Sequence, residues 1–138
     1  MNAWLIILDE NRKIKICELA DGKKLSFGRE TETLHPDISV SSGIVSRDHG
    51  EFCCNDGQWF YMDHGGKNGT FINGEKVPSV KRGRRYPVLL DNGDLLQVDY
   101  SDLTNPDARG IKIIFSTEKI EDEQEARKLF TNKISLYN

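Results

Sequence analysis

The sequence predicts an all-β protein, an antiparallel β-sandwich of eleven strands followed by a short C-terminal tail that can be helical. Three observations carry that prediction. Five dipeptides, Asp21-Gly22, Asp56-Gly57, Asn68-Gly69, Asn73-Gly74 and Asn92-Gly93, supply residues that tolerate the positive φ of tight type I′ hairpin turns. Short apolar or alternating runs of strand length lie between them. No helical periodicity occurs before residue 117.

In chain order, "WLIIL" is an apolar run that stops at Asp9 and Glu10. It is too short for a signal peptide's apolar region and far too short to cross a bilayer. "KIKICEL" alternates, with Ile14, Ile16 and Glu18 on one face. "KLSFG", "DISV", "GEFCC", "QWFYMD", "TFIN", "EKV", "YPVLL", "DLLQV" and "GIKIIF" complete the eleven. Close spacing and Gly/Asn turns between strands favour a sandwich or barrel. Residues 117–138 begin acidic and turn basic, and Ala126, Leu129, Phe130 and Ile134 recur at helical spacing. That stripe fits a helix docked on the sandwich or a frayed linker more readily than an interaction helix, and the sequence alone does not separate them.

With 138 residues the chain has the size of one domain with a real core. Its 37% hydrophobic and 30% charged content is that of a soluble globular protein. A formal charge of −3 gives no support to bulk nucleic-acid binding, so any anion recognition is local. Three cysteines, at 17, 53 and 54, argue against a disulfide framework and for the cytoplasm.

"IVSRDHGEF", residues 44–52, places Ser46, Asp48 and His49 within four positions. A catalytic triad is excluded, because neighbours on an extended segment face alternately and cannot line up behind one hydroxyl. "DHGGKNGT", residues 63–70, looks like a phosphate loop but is not one: Tyr61 holds the place of its first Gly and Asn68 follows Lys67 where Ser or Thr belongs. The strand "TFIN" then replaces the helix such a loop requires. His35, His49, His64 and the vicinal Cys53-Cys54 lack metal-ligand spacing, so no metal is expected. "KRGRR", residues 81–85, is a solvated loop or a docking spot for an acidic partner segment.

The surviving pieces are "FGRE" at 27–30, "DISV" at 37–40, "VSRDHGEF" at 45–52, "YMDHGGKNGTFINGEKV" at 61–77 and "LDNGDLLQV" at 90–98. In that order they resemble a forkhead-associated (FHA) domain, a phosphothreonine-binding β-sandwich. The resemblance implies a domain over residues 1–116, a tail over 117–138, and a non-catalytic adaptor needing no cofactor. Its partner would be a Thr-phosphorylated protein or peptide, with no nucleic acid and no membrane involved. By the same resemblance Arg29 and Ser46 bind the phosphate, with Lys67 beside them, and Asn68 holds the ligand's main chain with Arg47 as a further contact. Gly28 and Gly69 permit tight backbone, His49 ties down the loop bearing Ser46, and Asn73 opens a hairpin.

Arginine and a hydroxyl donor suit this task, since a doubly charged phosphate rewards charge-assisted hydrogen bonds. The resemblance further implies a small pocket beside Asn68 and Gly69 for the threonine methyl. Three departures stand out. Gly66-Lys67 replaces a common Ser-Thr, losing a hydroxyl and gaining an ammonium. Gly50 replaces a common Ala, which reads as a small change. Asp99 stands where a Gly often closes the strand.

Overall fold

The computed structural model describes residues 2–79, 83–84, 86–98 and 110–135. Asp99 and, within "KRGRR", Lys81, Arg82 and Arg85 lie outside the described residues, as does the side chain of Ile134.

Eleven strands form, at the eleven places the sequence marks: β1 Ala3–Leu8, β2 Ile14–Leu19, β3 Lys24–Arg29, β4 Ile38–Val40, β5 Gly50–Asn55, β6 Gln58–Asp63, β7 Phe71–Ile72, β8 Glu75–Lys76, β9 Val88–Leu89, β10 Leu95–Val98 and β11 Ile111–Ser116. They build a six-stranded sheet in the order β2-β1-β11-β10-β7-β8 and a five-stranded sheet in the order β4-β3-β5-β6-β9. All the pairings between these strands are antiparallel except one: β4 runs parallel to β3, with Gly28 opposite Ser39 and Arg29 opposite Val40. Segment 30–37 only has to carry the chain back by about three residues, so no long crossover is needed. Because both strands point the same way, the loop leaving β4 starts beside Arg29.

The turn dipeptides divide into two kinds. Asp56-Gly57 and Asn73-Gly74 both have positive φ at each position (52° and 76°, 50° and 87°), the type I′ signature, and they close the β5–β6 and β7–β8 hairpins. At Asp21-Gly22, Asn68-Gly69 and Asn92-Gly93 only the glycine is left-handed. Those three carry the chain from one sheet to the other, as from β2 to β3, so the twist-matching that demands a two-residue primed turn is absent. The β1–β2 turn has no glycine at all. Arg12 takes φ 62° there, and Asp9 Oδ1 accepts the N–H groups of Asn11 and Lys13 at 2.8 and 2.9 Å.

The apolar run in β1 is continuous because both faces of its sheet are covered. Ala3, Leu5 and Ile7 face the inter-sheet core with Leu96, Val98, Ile111, Ile113 and Phe115. The alternate residues Trp4, Ile6 and Leu8 pack instead with Leu95, Ile114 and the C-terminal helix α1, Glu123–Ser135. Ala126 and Phe130 of α1 are buried there and Leu129 is half-buried, so the stripe seen in the sequence docks on the outer face of the six-stranded sheet. Asp122 caps the helix, its Oδ1 accepting the Glu125 N–H at 2.8 Å, while Glu125 Oε2 accepts the Glu121 N–H. Arg127 then donates to the Arg12 carbonyl at 2.8 Å and pins the helix to the β1–β2 turn.

Candidate functional site

Every residue assigned by resemblance to phosphate or peptide lies on or beside three loops: 30–37 after β3, 41–49 between β4 and β5, and 64–70 between β6 and β7. Arg29 ends β3. Its N–H donates to the Ser46 carbonyl at 3.0 Å, and its Nη1 donates to the Gly43 carbonyl at 3.3 Å. The guanidinium therefore lies along the 41–49 loop, and among the described residues no carboxylate pairs with it. Ser46 Oγ accepts the Lys67 N–H at 3.0 Å. No acceptor among the described residues takes the hydroxyl proton, so Ser46 is set to donate outward.

Gly28 explains how the loop comes so close. A Cβ there would sit 2.0 Å from the Arg47 carbonyl oxygen and 3.1 Å from that of Ser46, so the 41–49 backbone lies directly on β3. Arg47 itself projects into solvent. Asn68 bridges two loops, its Nδ2 donating to the Ile44 carbonyl at 2.7 Å. Gly69 has φ 68° and is buried. The Lys67 side chain is exposed and its ammonium has no carboxylate partner among the described residues. Asn73 belongs elsewhere: its amide accepts the Leu95 N–H and donates to Asp94, tying the β7–β8 hairpin to the corner before β10.

His49 is fully buried beneath these loops, edge-on to Phe27 at 5.5 Å between ring centres. Its Nδ1 accepts the Ser46 N–H at 3.0 Å, and a backbone N–H can only donate, so Nδ1 carries no proton. Nε2–H then donates to the Gly69 carbonyl at 3.0 Å and reaches Thr70 Oγ1 at 3.1 Å. The ring is thus neutral and joins the loops bearing Ser46 and Asn68. Burial lowers its pKa, against the opposing pull of the Gly69 bond and Asp63. It contacts the backbone of Ser46 rather than its hydroxyl, and no nucleophile results.

Sequence reasoning missed the support below. Asp63, buried at the end of β6, accepts from Thr70 Oγ1 (3.0 Å), Gly65 N–H (3.1 Å) and Ser79 Oγ (2.8 Å). Tyr61 is fully buried and bonds Thr70 Oγ1 at 2.8 Å; burial and then the Asp63 charge hold its phenol well above the usual range. The signal was present: Trp59, Tyr61 and Asp63 are alternate residues of one strand, so the carboxylate shares the inward face.

The two glycine departures have structural reasons. A Cβ at Gly66 would lie 2.5 Å from His49 Nδ1, so the loop backbone rests on the imidazole face. At Gly50 it would meet Tyr61 Oη at 2.3 Å and the Met62 carbonyl oxygen at 2.8 Å. The reading of Gly50 as a small change is therefore corrected: the Tyr61 phenol occupies the place of an alanine methyl.

Residues 25–99, more than half of the chain, match the FHA domain family. The chain belongs to the FHA family. This FHA domain is 35% identical over 80 residues to the glycogen accumulation regulator GarA of Mycolicibacterium smegmatis, covering 58% of this chain and 44% of that protein. It is 32% identical over 88 residues to the E3 ubiquitin-protein ligase DMA1 of Saccharomyces cerevisiae, covering 56% of this chain and 21% of the ligase. The FHA domain thus spans less than half the length of either relative. Its fold is that of the N-terminal FHA domain of Rad53p from S. cerevisiae, solved with a phosphothreonine peptide, with a TM-score of 0.60 at 20% identity over 88% of this chain and 97% of that one.

Proposed function

We propose that this FHA domain is a phosphothreonine-dependent protein–protein interaction module, a cytoplasmic adaptor that captures partners after a Ser/Thr kinase has acted on them. The observation that carries the reading is that, among the described residues, no carboxylate pairs with the Arg29 fork at the end of β3 and no acceptor takes the hydroxyl proton of Ser46, on the loop bonded to Arg29. Arg29 and Ser46 take the phosphate and Lys67 adds charge beside it. Asn68 and Arg47 hold the flanking peptide. Residues 1–116 serve as the binding domain, and 117–138 as an appendage to it. The overall charge of −3 fits a peptide partner better than nucleic acid.

The mechanism is differential binding. The guanidinium offers parallel donors to two phosphate oxygens, and the loops are already hydrogen-bonded to each other, which lowers the entropy lost on docking. Charge alone cannot separate phosphothreonine from phosphoserine. One methyl in a fitted pocket is worth about 1–3 kcal/mol, or about 5- to 150-fold.

An oriented phosphothreonine-peptide library, followed by calorimetry on the selected peptide, tests this. Arg29→Ala is expected to remove measurable binding while circular dichroism stays unchanged, since truncating one partner of a charged hydrogen-bonded pair costs about 2–5 kcal/mol. The phosphoserine version binds more weakly and the unmodified peptide does not bind. Equal affinity for the unmodified peptide would replace the proposal with phosphate-independent docking.

A further inference from the structure

His49 is not the only histidine under these loops. His64 opens the 64–70 loop, and its hydrogen bonds differ in kind. Nδ1 lies 2.7 Å from Asp48 Oδ1 on the 41–49 loop, and Nε2 lies 2.9 Å from Glu51 Oε1 on β5. Carboxylates accept and do not donate, so an imidazole bonded to both must carry a proton on each nitrogen. Two histidines that support one site thus differ in charge: His49 accepts a backbone N–H and is neutral, whereas His64 is a cation.

We propose that His64 is a positioning residue of the phosphate cradle, an imidazolium clasp that holds the loop carrying Ser46 and Arg47 to the loop carrying Lys67 and Asn68. The inference rests on the phosphopeptide reading above and adds a device to it. Asp48 directly follows Arg47 and its side chain is 78% exposed, so His64 is its anchor to the protein. Glu51 is buried and fixes the other side of the ring, and Lys24 of β3 stands 3.4 Å from its second oxygen. Among the described residues, Asp63 precedes His64 on the chain and neutral His49 feels the charge of His64. Burial alone would lower the His64 pKa, but the bonds to Asp48 and Glu51 outweigh it and the net shift is upward.

Loss of the proton leaves the ring one N–H for two acceptors. The bond that yields is the one to Asp48, because Asp48 has water to turn to and buried Glu51 does not. The 41–49 loop then loses one of its ties, while the Lys67 N–H to Ser46 and Asn68 to Ile44 bonds remain, and the cradle is competent for a smaller fraction of the time. A phosphate with a second pKa near 6 is already dianionic above pH 7, so any loss of affinity above that pH has another source.

The test has two parts. In the free protein, NMR titration of the His64 ring is expected to give a midpoint above the ordinary value of about 6.5, falling when Asp48 is replaced in Asp48→Ala. The second part titrates an N-acetylated phosphothreonine peptide from the library, lacking His and Cys, across that midpoint, with Asp48→Ala as the control for the phosphate's own ionisation. Relative to that control, parent affinity should fall by about 3- to 10-fold, the range spanned by one modest charge-assisted hydrogen bond. Asp48→Ala should start at the weakened level and follow the phosphate alone. A His64 midpoint at or below 6.5, or identical pH profiles for parent and variant, would overturn the clasp. If the parent binds no phosphopeptide at any pH, the adaptor reading falls, and the His64 midpoint with its response to Asp48→Ala still decides the charge state.

Discussion

Gly28→Ala is a one-methyl change whose effect the structure makes calculable. The new Cβ would lie 2.0 Å from the Arg47 carbonyl oxygen, where at least about 3.0 Å is needed, so the 41–49 backbone must retreat by about 1 Å. That backbone is held by the Arg29 N–H to Ser46 carbonyl bond and by the Ser46 N–H to His49 Nδ1 bond, both at 3.0 Å. Lengthening either by 1 Å takes it beyond hydrogen-bonding distance. Each bond contributes about 1 kcal/mol, and a buried His49 nitrogen left without a partner adds about 1–2 more, for a total of about 3–4 kcal/mol. At roughly 4 °C per kcal/mol for a chain of this size, Tm should drop by about 12–16 °C. Phosphopeptide affinity should fall with it, because Ser46 moves with the loop. Thermal unfolding by circular dichroism reads the first effect and calorimetry the second. Gly43→Ala is the control: a Cβ there meets nothing within 4 Å, and it should melt like the parent. A Gly28→Ala protein that melts within 2 °C of the parent would refute the close-approach argument.

Three further outcomes are expected. Gly50→Ala should destabilise by about 1–3 kcal/mol through overpacking against Tyr61, measured as a shifted urea midpoint; an unchanged midpoint would mean the phenol moves aside freely. His49→Ala should cost about 2–4 kcal/mol near pH 7.5 by stranding the Ser46 N–H and Gly69 carbonyl. The folded-state pKa of His49 is lowered, so the unfolded chain takes up a proton first as pH falls below about 6.5, and the native state loses stability there. The deficit of His49→Ala should accordingly shrink between pH 7.5 and 5.5, and a constant deficit would place the charge elsewhere. Lys67→Thr should weaken phosphopeptide binding modestly and flatten its salt dependence, since an exposed ammonium acts over a Debye length of about 8 Å at physiological ionic strength. Identical salt slopes would show that Lys67 points away from the ligand.

The sequence by itself determined the strands, because their signals are local. Alternation in "QWFYMD" and the true hairpins at Asp56-Gly57 and Asn73-Gly74 depend only on neighbours along the chain. It also marked Arg29, Ser46, Lys67 and Asn68, since their order and spacing match a pattern. What those residues touch was decided by tertiary structure. Asn68-Gly69 reads like Asn73-Gly74, yet it is a sheet-crossing corner, because which strand comes next in space is set by pairing and not by the dipeptide. The charge states of His49 and His64 were equally invisible. Each is fixed by its bonding partners: the backbone N–H of Ser46, which is near in sequence but reached only through a bent loop, and the carboxylates of Asp48 and Glu51, brought from another loop and strand. Gly50 shows the same division most sharply. Its freedom to be alanine depends on where the phenol of Tyr61, eleven residues away and on the paired strand, comes to rest.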